Sequence, residues 1–338
     1  MTELRLAVCV VTHDDAADLP ACLAAAAALE TRSLEVVVVD CASSDGTVEA
    51  ARAFAPPDGV RFEVVPLPAN RGFAGGMNEA LARTSAPWVL TLNADARPAP
   101  DYAERLLARA AAAEARGLAV GAVTGRLVRF AGPDEAPGRR LLDACGMRLV
   151  PTWRHLDRGS GEEDRGQHRR PERVFGATGA ASLFARRALD DVALDGDVFD
   201  PRFHSFREDA ELAFRLRERG WEVLYEPDAR CEHRRVSLPE RRSRMPPAVN
   251  YHSLKNRYLL RLYHQSWPNL LWTLPFAAWR DLLALGHVLL RERSSLGAYG
   301  WLWRNRRELL ARRRAIRARR TVPRWAIERW FLSRGRPL

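Results

Sequence analysis

Leu34-Glu35-Val36-Val37-Val38-Val39-Asp40-Cys41-Ala42-Ser43-Ser44-Asp45-Gly46-Thr47 is the stretch that decides the architecture. A nearly continuous β-branched run reads as a strand buried on both faces, which is the pattern of a parallel sheet covered by helices. The run ends in a carboxylate, turns through small residues and offers Thr47 as a helix start. Outward from it, similar units repeat. Strand-like runs at Leu6–Thr12, Arg61–Val65 and Trp88–Leu92 alternate with helical patterns near Ala16–Leu29, Thr47–Phe54 and Gly75–Arg83. In such sheets ligands sit beyond the carboxyl ends of the strands, here Thr12-His13, Asp40 and Asn93-Ala94-Asp95.

A second block, Ala119 to Glu232, reads as further strands with one amphipathic helix at Asp209–Arg219. Between them Phe130–Arg173 is polar, rich in Gly, Pro and Arg, and without a period, which predicts a mobile loop. From Pro246 the pattern is helical and aromatic. Trp267–Leu290 is the most apolar segment, yet Pro268, Pro275, Arg280, Asp281 and His287 argue against a spanning helix.

The 338 residues carry a net charge of +11. Residues 291–338 hold fifteen arginines against three glutamates, so the basicity belongs to the tail. Its arginines are interleaved with Trp301, Trp303, Trp325 and Trp330, a pattern that predicts either helices lying on an anionic membrane surface or a helical cap. Nucleic acid is the weaker reading of the same cluster, because the tryptophans suit a bilayer interface. The five cysteines form no C-x-x-C pair and a strand-like run starting at Leu4 makes a cleavable leader unexpected, so a reducing cytoplasm without disulfides or a zinc ribbon is expected.

Four constellations carry chemistry. Asp40 with Ser43, Asp45 and Thr47 suits recognition of a base or ribose, although a capped turn accounts for it as well. In Asn70-Arg71-Gly72-Phe73-Ala74-Gly75-Gly76-Met77-Asn78, glycines before a helix admit a ligand to the backbone and the helix start favours an anion. Asp95 stands just past an apolar strand, where it either caps a turn or holds Mg or Mn whose other ligands are diphosphate and water. Glu208-Asp209 opens a helix, where acids complement the dipole or serve as a general base.

Taken in order across residues 5 to 233, these pieces resemble family-2 glycosyltransferases of the GT-A fold, in particular the bacterial rhamnosyltransferase-like branch. The resemblance implies a Rossmann-like, mostly parallel α/β sheet flanked by helices, with a C-terminal helical extension. It implies a glycosyltransferase domain over 1–240, nucleotide-binding in 1–117 and acceptor-binding and catalytic in 118–240; the Arg- and Trp-rich composition of 241–338 is what predicts its association with the membrane. Thr12, His13, Asp40, Ser43 and Asp45 would serve the nucleotide. Asn70, Arg71, Gly75, Gly76, Asn78 and Asn93 would line the ribose, diphosphate and sugar. Asp95 would be the direct metal ligand and His233, followed by Ser237, would complete the metal or phosphate site unless it is a structural histidine. Asp209 would be the catalytic base, with Glu208 beside it. Asn93 stands where relatives carry an Asp, and Cys41 where they often carry Asn.

The implied reaction is a metal-dependent, inverting transfer of a hexose-type sugar, rhamnose from dTDP-rhamnose in the first instance, to a lipid-linked or cell-surface glycan on the inner face of the cell membrane. A UDP-hexose or UDP-galactofuranose donor is the alternative within the fold. A non-catalytic nucleotide-sugar or polyanion binder is the alternative outside it.

Overall fold

A computed structural model describes residues 4–130, 140–235 and 246–338. The N-terminal half alternates strand and helix as its sequence pattern dictates. Strands β1 (Leu6–Thr12), β2 (Leu34–Asp40), β3 (Arg61–Pro66) and β4 (Trp88–Asn93) enclose helices α1 (Leu19–Ala27), α2 (Thr47–Ala53) and α3 (Gly72–Ala82). β1 pairs in parallel with both β2 and β4, with Thr12 opposite Asp40 and Val11 opposite Asn93. Three polar strand ends therefore finish at one edge.

Next come β5 (Ala96–Pro98), α4 (Tyr102–Glu114), β6 (Val120–Arg129), β7 (Leu142–Ala144), β8 (Met147–Val150), β9 (Arg154–Asp157), β10 (Glu172–Arg173) and β11 (Ala181–Ala185). The domain continues with α5 (Arg186–Val192), α6 (Glu208–Glu218) and β12 (Glu222–His233). The sheet runs β10-β12-β6-β11-β4-β1-β2-β3, and β11 is inserted antiparallel between β4 and β6. It is thus mixed rather than all parallel.

Both faces of the sheet are covered. Leu6, Val8 and Val10 point to α1 and α4, while Ala7 and Cys9 point to α3, and all five are fully buried. Burial of each Leu or Val contributes about 1.5–3 kcal/mol. All five cysteines are buried and free.

Two sequence expectations are corrected here. The first concerns Phe130–Arg173. Residues 131–139 lie outside the described part, but 140–173 supplies β7, the β8–β9 hairpin and β10. These strands are two to four residues long and β7 and β10 pair with distant partners, so no local period marks them. The second concerns α6, which is buried from Ala210 to Glu218 rather than amphipathic. Its charged side chains are matched internally: Arg215 with Glu211 at 2.6 Å, Arg217 with Glu222, and Glu218 with Arg320.

The chain from Pro246 forms α7 (Pro247–His264), α8 (Trp267–Arg291), α9 (Gly297–Arg304), α10 (Arg306–Ala318) and α11 (Trp325–Glu328), and a last strand, β13 (Arg336–Pro337), pairs with β10. These helices share a core with the β8–β9 hairpin and α6, through Tyr263, Leu309, Ile316, Trp330 and Phe331. Much of the arginine cluster turns inward. Arg313 donates to the Gln265 carbonyl at 2.7 Å, Arg319 to that of Asp191 at 2.6 Å, and Arg312 pairs with Asp195 at 2.7 Å. A packed cap therefore accounts for these side chains. Among the described residues no helix is long and apolar enough to cross a membrane.

Candidate active site

A cleft of about 720 Å³ opens at the strand-end edge. Thr12, His13, Asp15, Cys41, Asn70 and Asn93 line its N-terminal side, and Asp95, His233, Glu208 and Asp209 line the other. Local bonding shapes the first wall. Asp15 accepts hydrogen bonds from the Thr12 hydroxyl at 2.9 Å and the His13 amide at 3.0 Å, while Asn70 accepts from the Gly72 amide at 2.8 Å. Cys41 faces the cleft with its thiol 3.6 Å from the Gly72 carbonyl, and burial raises its pKa.

Other expected site residues lie outside that lining. Asp40 is 1% exposed and accepts from the Ser43 amide at 3.0 Å and from the Ser43 hydroxyl. Asp45 accepts from the amides of Ala16 at 3.0 Å and Thr47 at 3.1 Å, which closes the turn. Arg71 is half exposed and sits 3.5 Å from Glu79.

Asn78 requires correction. Its amide nitrogen donates to Asp197 at 2.9 Å and to the Phe199 carbonyl at 2.7 Å, and its oxygen accepts from the Phe199 amide at 2.8 Å. With that capacity spent, it anchors a loop rather than facing a ligand. Gly76 is likewise a packing residue, since a Cβ there would lie 2.6 Å from Val11 and 2.9 Å from Cys41. At Gly75 a Cβ would meet that of Arg71 at 2.7 Å.

A chain of charges crosses the floor. Asp95 lies 3.0 Å from His233 Nε2, and Asp143 lies 2.7 Å from Nδ1. Arg235 then joins Asp143 at 2.9 Å to Asp157 at 2.8 Å. Burial would depress the His233 pKa, but the hydrogen bonds to the two carboxylates push it up to about 9. A divalent cation would fit here in place of the proton that His233 Nε2 shares with Asp95: Asp143 keeps the proton on Nδ1, so the freed Nε2 and the Asp95 carboxylate converge as nitrogen and oxygen donors. No group of three His, Cys, Asp or Glu is placed for a metal among the described residues. A cation there would take its remaining ligands from a diphosphate and water.

The opposite wall is a strained turn. His204, Phe206 and Arg207 have φ of 62°, 72° and 71°, and Arg207 leads into α6. Asn256 of α7 donates to the carbonyls of Phe203, Ser205 and Phe206 at 2.7–2.8 Å, which holds the turn. Gly72, with φ of 65°, packs so closely that a Cβ would lie 2.5 Å from His204.

That turn delivers Asp209. Its carboxylate accepts from the Gly179 amide at 3.2 Å and the Ala210 amide at 2.7 Å. Burial and the charge of Asp157 raise its pKa to about 6, against those two amides. Glu208 differs. It is 7% exposed, Oε2 has no hydrogen-bond partner among the described residues, and burial and Asp209 push its pKa well up. Of the pair, Asp209 is the one that two backbone amides hold at the cleft, set for proton transfer.

Several cleft residues escaped sequence reasoning: Asp15, Asp143, Asp157, Arg235, Asn250 and Arg280. Asp143 and Asp157 fall in the stretch with no period, and Asn250 and Arg280 in helices read for their apolar content. The His-Leu-Asp157 run at the end of β9 was the nearest thing to a local signal.

Comparisons with known proteins bear on the family and the fold. The profile of glycosyl transferase family 2 matches residues 7–193. The chain is 28% identical over 315 residues to the N-acetylglucosaminyl-diphospho-decaprenol L-rhamnosyltransferase of Mycobacterium tuberculosis (strain CDC 1551 / Oshkosh), covering 86% of this chain and 94% of that one. It is 32% identical over 125 residues to the succinoglycan biosynthesis protein ExoO of Rhizobium meliloti (strain 1021), about a third of each. Among solved structures, the mannosyltransferase PcManGT from Pyrobaculum calidifontis, in complex with GDP-Man and Mn2+, superposes with a TM-score of 0.51 at 21% identity, covering 98% of this chain and 88% of that one. GalNAc-T7 with UDP, GalNAc and Mn2+ superposes with a TM-score of 0.55 at 14% identity, over 78% of this chain and 49% of that one. The fold is that of GT-A glycosyltransferases.

Proposed function

The chain belongs to glycosyl transferase family 2, and from that premise we propose that this glycosyltransferase moves a sugar from a nucleoside-diphosphate donor, with inversion, onto a hydroxyl of a lipid-linked glycan. The observation that carries the reading is the Asp209 carboxylate, aimed into the cleft by the amides of Gly179 and Ala210. We assign the donor nucleotide to the half formed by 1–117 and the acceptor and base to 118–240, with 241–338 placing the enzyme at the inner face of the cell membrane. Rhamnose from dTDP-rhamnose is our first choice of donor, supported by the rhamnosyltransferase that aligns over most of the chain.

In the mechanism, Asp209 takes the proton of the acceptor hydroxyl as that oxygen bonds to the anomeric carbon and the carbon–oxygen bond to the diphosphate breaks. One displacement from the face opposite the leaving group inverts the centre. Asp95 and His233 would hold Mg or Mn, which supplies positive charge for the leaving diphosphate. Asp143 orients His233, and Arg235 holds Asp143 and Asp157 in line. Glu208, buried and with its pKa pushed well up, is not held by the two amides that orient Asp209, so we place the base on Asp209.

The test is release of nucleoside diphosphate by the purified protein from dTDP-rhamnose and common UDP-sugars, with Mg or Mn and with chelator. Release from one donor, abolished by chelator, is expected. Release from a UDP-hexose or UDP-galactofuranose alone would replace rhamnose, and absence of both turnover and donor binding across the panel would overturn the catalytic reading.

A further inference from the structure

Helix α8 is exposed around most of its circumference. Only one stripe is buried, through Asn269, Thr273, Ala277 and Val288, at the spacing of one face of a helix. The rest presents large apolar side chains to solvent, with Trp267 at 71%, Leu271 at 72%, Trp279 at 62% and Leu290 at 79% exposure. Twenty-five residues extend about 37 Å. Single exposed apolar residues are ordinary, whereas a contiguous face of this length marks a contact surface.

The chemistry around that face selects the occupant. The acidic residue within α8, Asp281, turns inward to Arg257 at 2.8 Å and to Arg261. At its C-terminus and beyond, Arg291, Arg293, Arg304, Arg306 and Arg307 are exposed, and Arg306 stacks on the exposed Trp303 at 4.3 Å. An apolar helix beside exposed arginines and tryptophan matches the interface of an anionic bilayer. A second copy would cover one stripe and leave the remaining apolar surface in water.

The inward side of α8 adds a second observation. Arg280, three residues after the buried Ala277, lines the cleft together with Asn250 and Ser253 of α7 and with Arg154 and Arg207. It forms no ion pair among the described residues, and its Nε is buried with no hydrogen-bond partner among them. One helix thus carries both the apolar face and a cation on the cleft wall.

Resting on the reading of a lipid-linked acceptor, we infer that α8 lies in the interface of an anionic bilayer and that Arg280 receives the phosphate group through which a membrane lipid carries the acceptor sugar. A prenyl diphosphate in the bilayer then reaches the cleft along α8, and its phosphate meets Arg280 before the sugar meets Asp209. The surface that binds lipid is α8 with the exposed arginines that follow it, while Arg312, Arg313 and Arg319 further along hold the cap.

Two measurements on the full chain decide this, and neither requires turnover. Flotation with vesicles of phosphatidylcholine containing phosphatidylglycerol should recover the protein. The double variant Trp279→Ser/Leu282→Gln, with an unchanged unfolding midpoint because both positions are exposed, should lose binding by on the order of tenfold or more. Absence of flotation by the unaltered protein, or a dimer dispersed by the same substitutions, would overturn the bilayer assignment.

Calorimetry with farnesyl diphosphate and with farnesol, in chelator so that the Asp95 site lacks a cation, tests Arg280. Arg280→Gln should weaken the diphosphate on the order of tenfold and Arg280→Lys less, with the alcohol unaffected. Equal binding of the diphosphate by Arg280→Gln and the unaltered chain would overturn the assignment. Failure of donor hydrolysis would instead strike the preceding reading and leave these two results to be scored alone.

Discussion

Asp209 shows how one carboxylate acquires a role from its surroundings. Two backbone amides keep it oriented, while burial and the charge of Asp157 lift its pKa to about 6. A base raised that far binds a proton more strongly than an exposed carboxylate and is still mostly ionised at neutral pH. Transfer should therefore rise with pH through about 6 and level off above it, as rate measurements from pH 5 to 8 would register. Asp209→Asn should lower kcat by about 10²–10⁴ while donor binding by calorimetry is retained. Unchanged kcat would remove Asp209 from the mechanism. Its neighbour Glu208 shows the converse: it is also acidic, but it is buried, its Oε2 has no hydrogen-bond partner among the described residues, and burial with the charge of Asp209 pushes its pKa well up.

The element that matters most is the turn from His204 to Arg207. Three non-glycine residues with positive φ cost on the order of 1–3 kcal/mol each and persist only where the surroundings hold them. Asn256 supplies that hold from α7, and Gly72 leaves the space the turn needs. Asn256→Ala strips three carbonyls of a donor, so we expect a loss of about 1–3 kcal/mol in urea unfolding and a kcat lower by on the order of tenfold as Asp209 shifts. If stability falls and kcat does not, the clamp is structural only. Gly72→Ala should be the more damaging for turnover, because its Cβ would meet both the ring and the carbonyl oxygen of His204.

At the scale of the molecule, α6 is the seam between the sheet domain and the helical cap. Leu212 and Leu216 pack toward the sheet, whereas Ala213 and Phe214 pack toward the cap. Its buried charges tie the two together, with Arg215 donating to Glu211 and to the Val192 carbonyl at 2.6 Å, and His264 of α7 lying 3.2 Å from Glu218. Burial opposes ionisation of Glu211, but Arg215 and His264 hold its pKa down to about 2. Because that lies below the ordinary 4.5, the ionised group stabilises the fold above about pH 4.5, and this contribution is lost as pH falls toward 2. His264, raised by the same carboxylates, acts in the other sense: its contribution is present below its ordinary 6.5 and fades as pH rises through its folded value. Arg215→Met should cost about 3–5 kcal/mol in denaturant unfolding, since it strands a buried carboxylate, and should flatten the acid limb of stability. A loss below 1 kcal/mol would show that the seam does not depend on this pair.

Sequence alone dictates the strand and helix alternation of residues 6 to 93, because continuous Val and Leu runs between short helical patterns are local signals that burial on two faces enforces. It also placed Thr12, Asn93 and Asp95 at one edge, since parallel strands of equal length end together, and it singled out Asp209 at the start of α6. The division of roles needed the tertiary structure. Asn78 and Gly76 stand in a motif that reads as ligand-binding, yet a loop 120 residues downstream consumes the first and close helix–sheet packing the second. Asp143 and Asp157 reach the floor on strands of three and four residues and Arg235 just past the end of β12, so no period marks them. Likewise, the charge of the tail is visible in composition, but only folding decides which arginines turn to carbonyls and carboxylates and which, with the apolar face of α8, remain outside, because that partition is set by what each side chain meets across the fold.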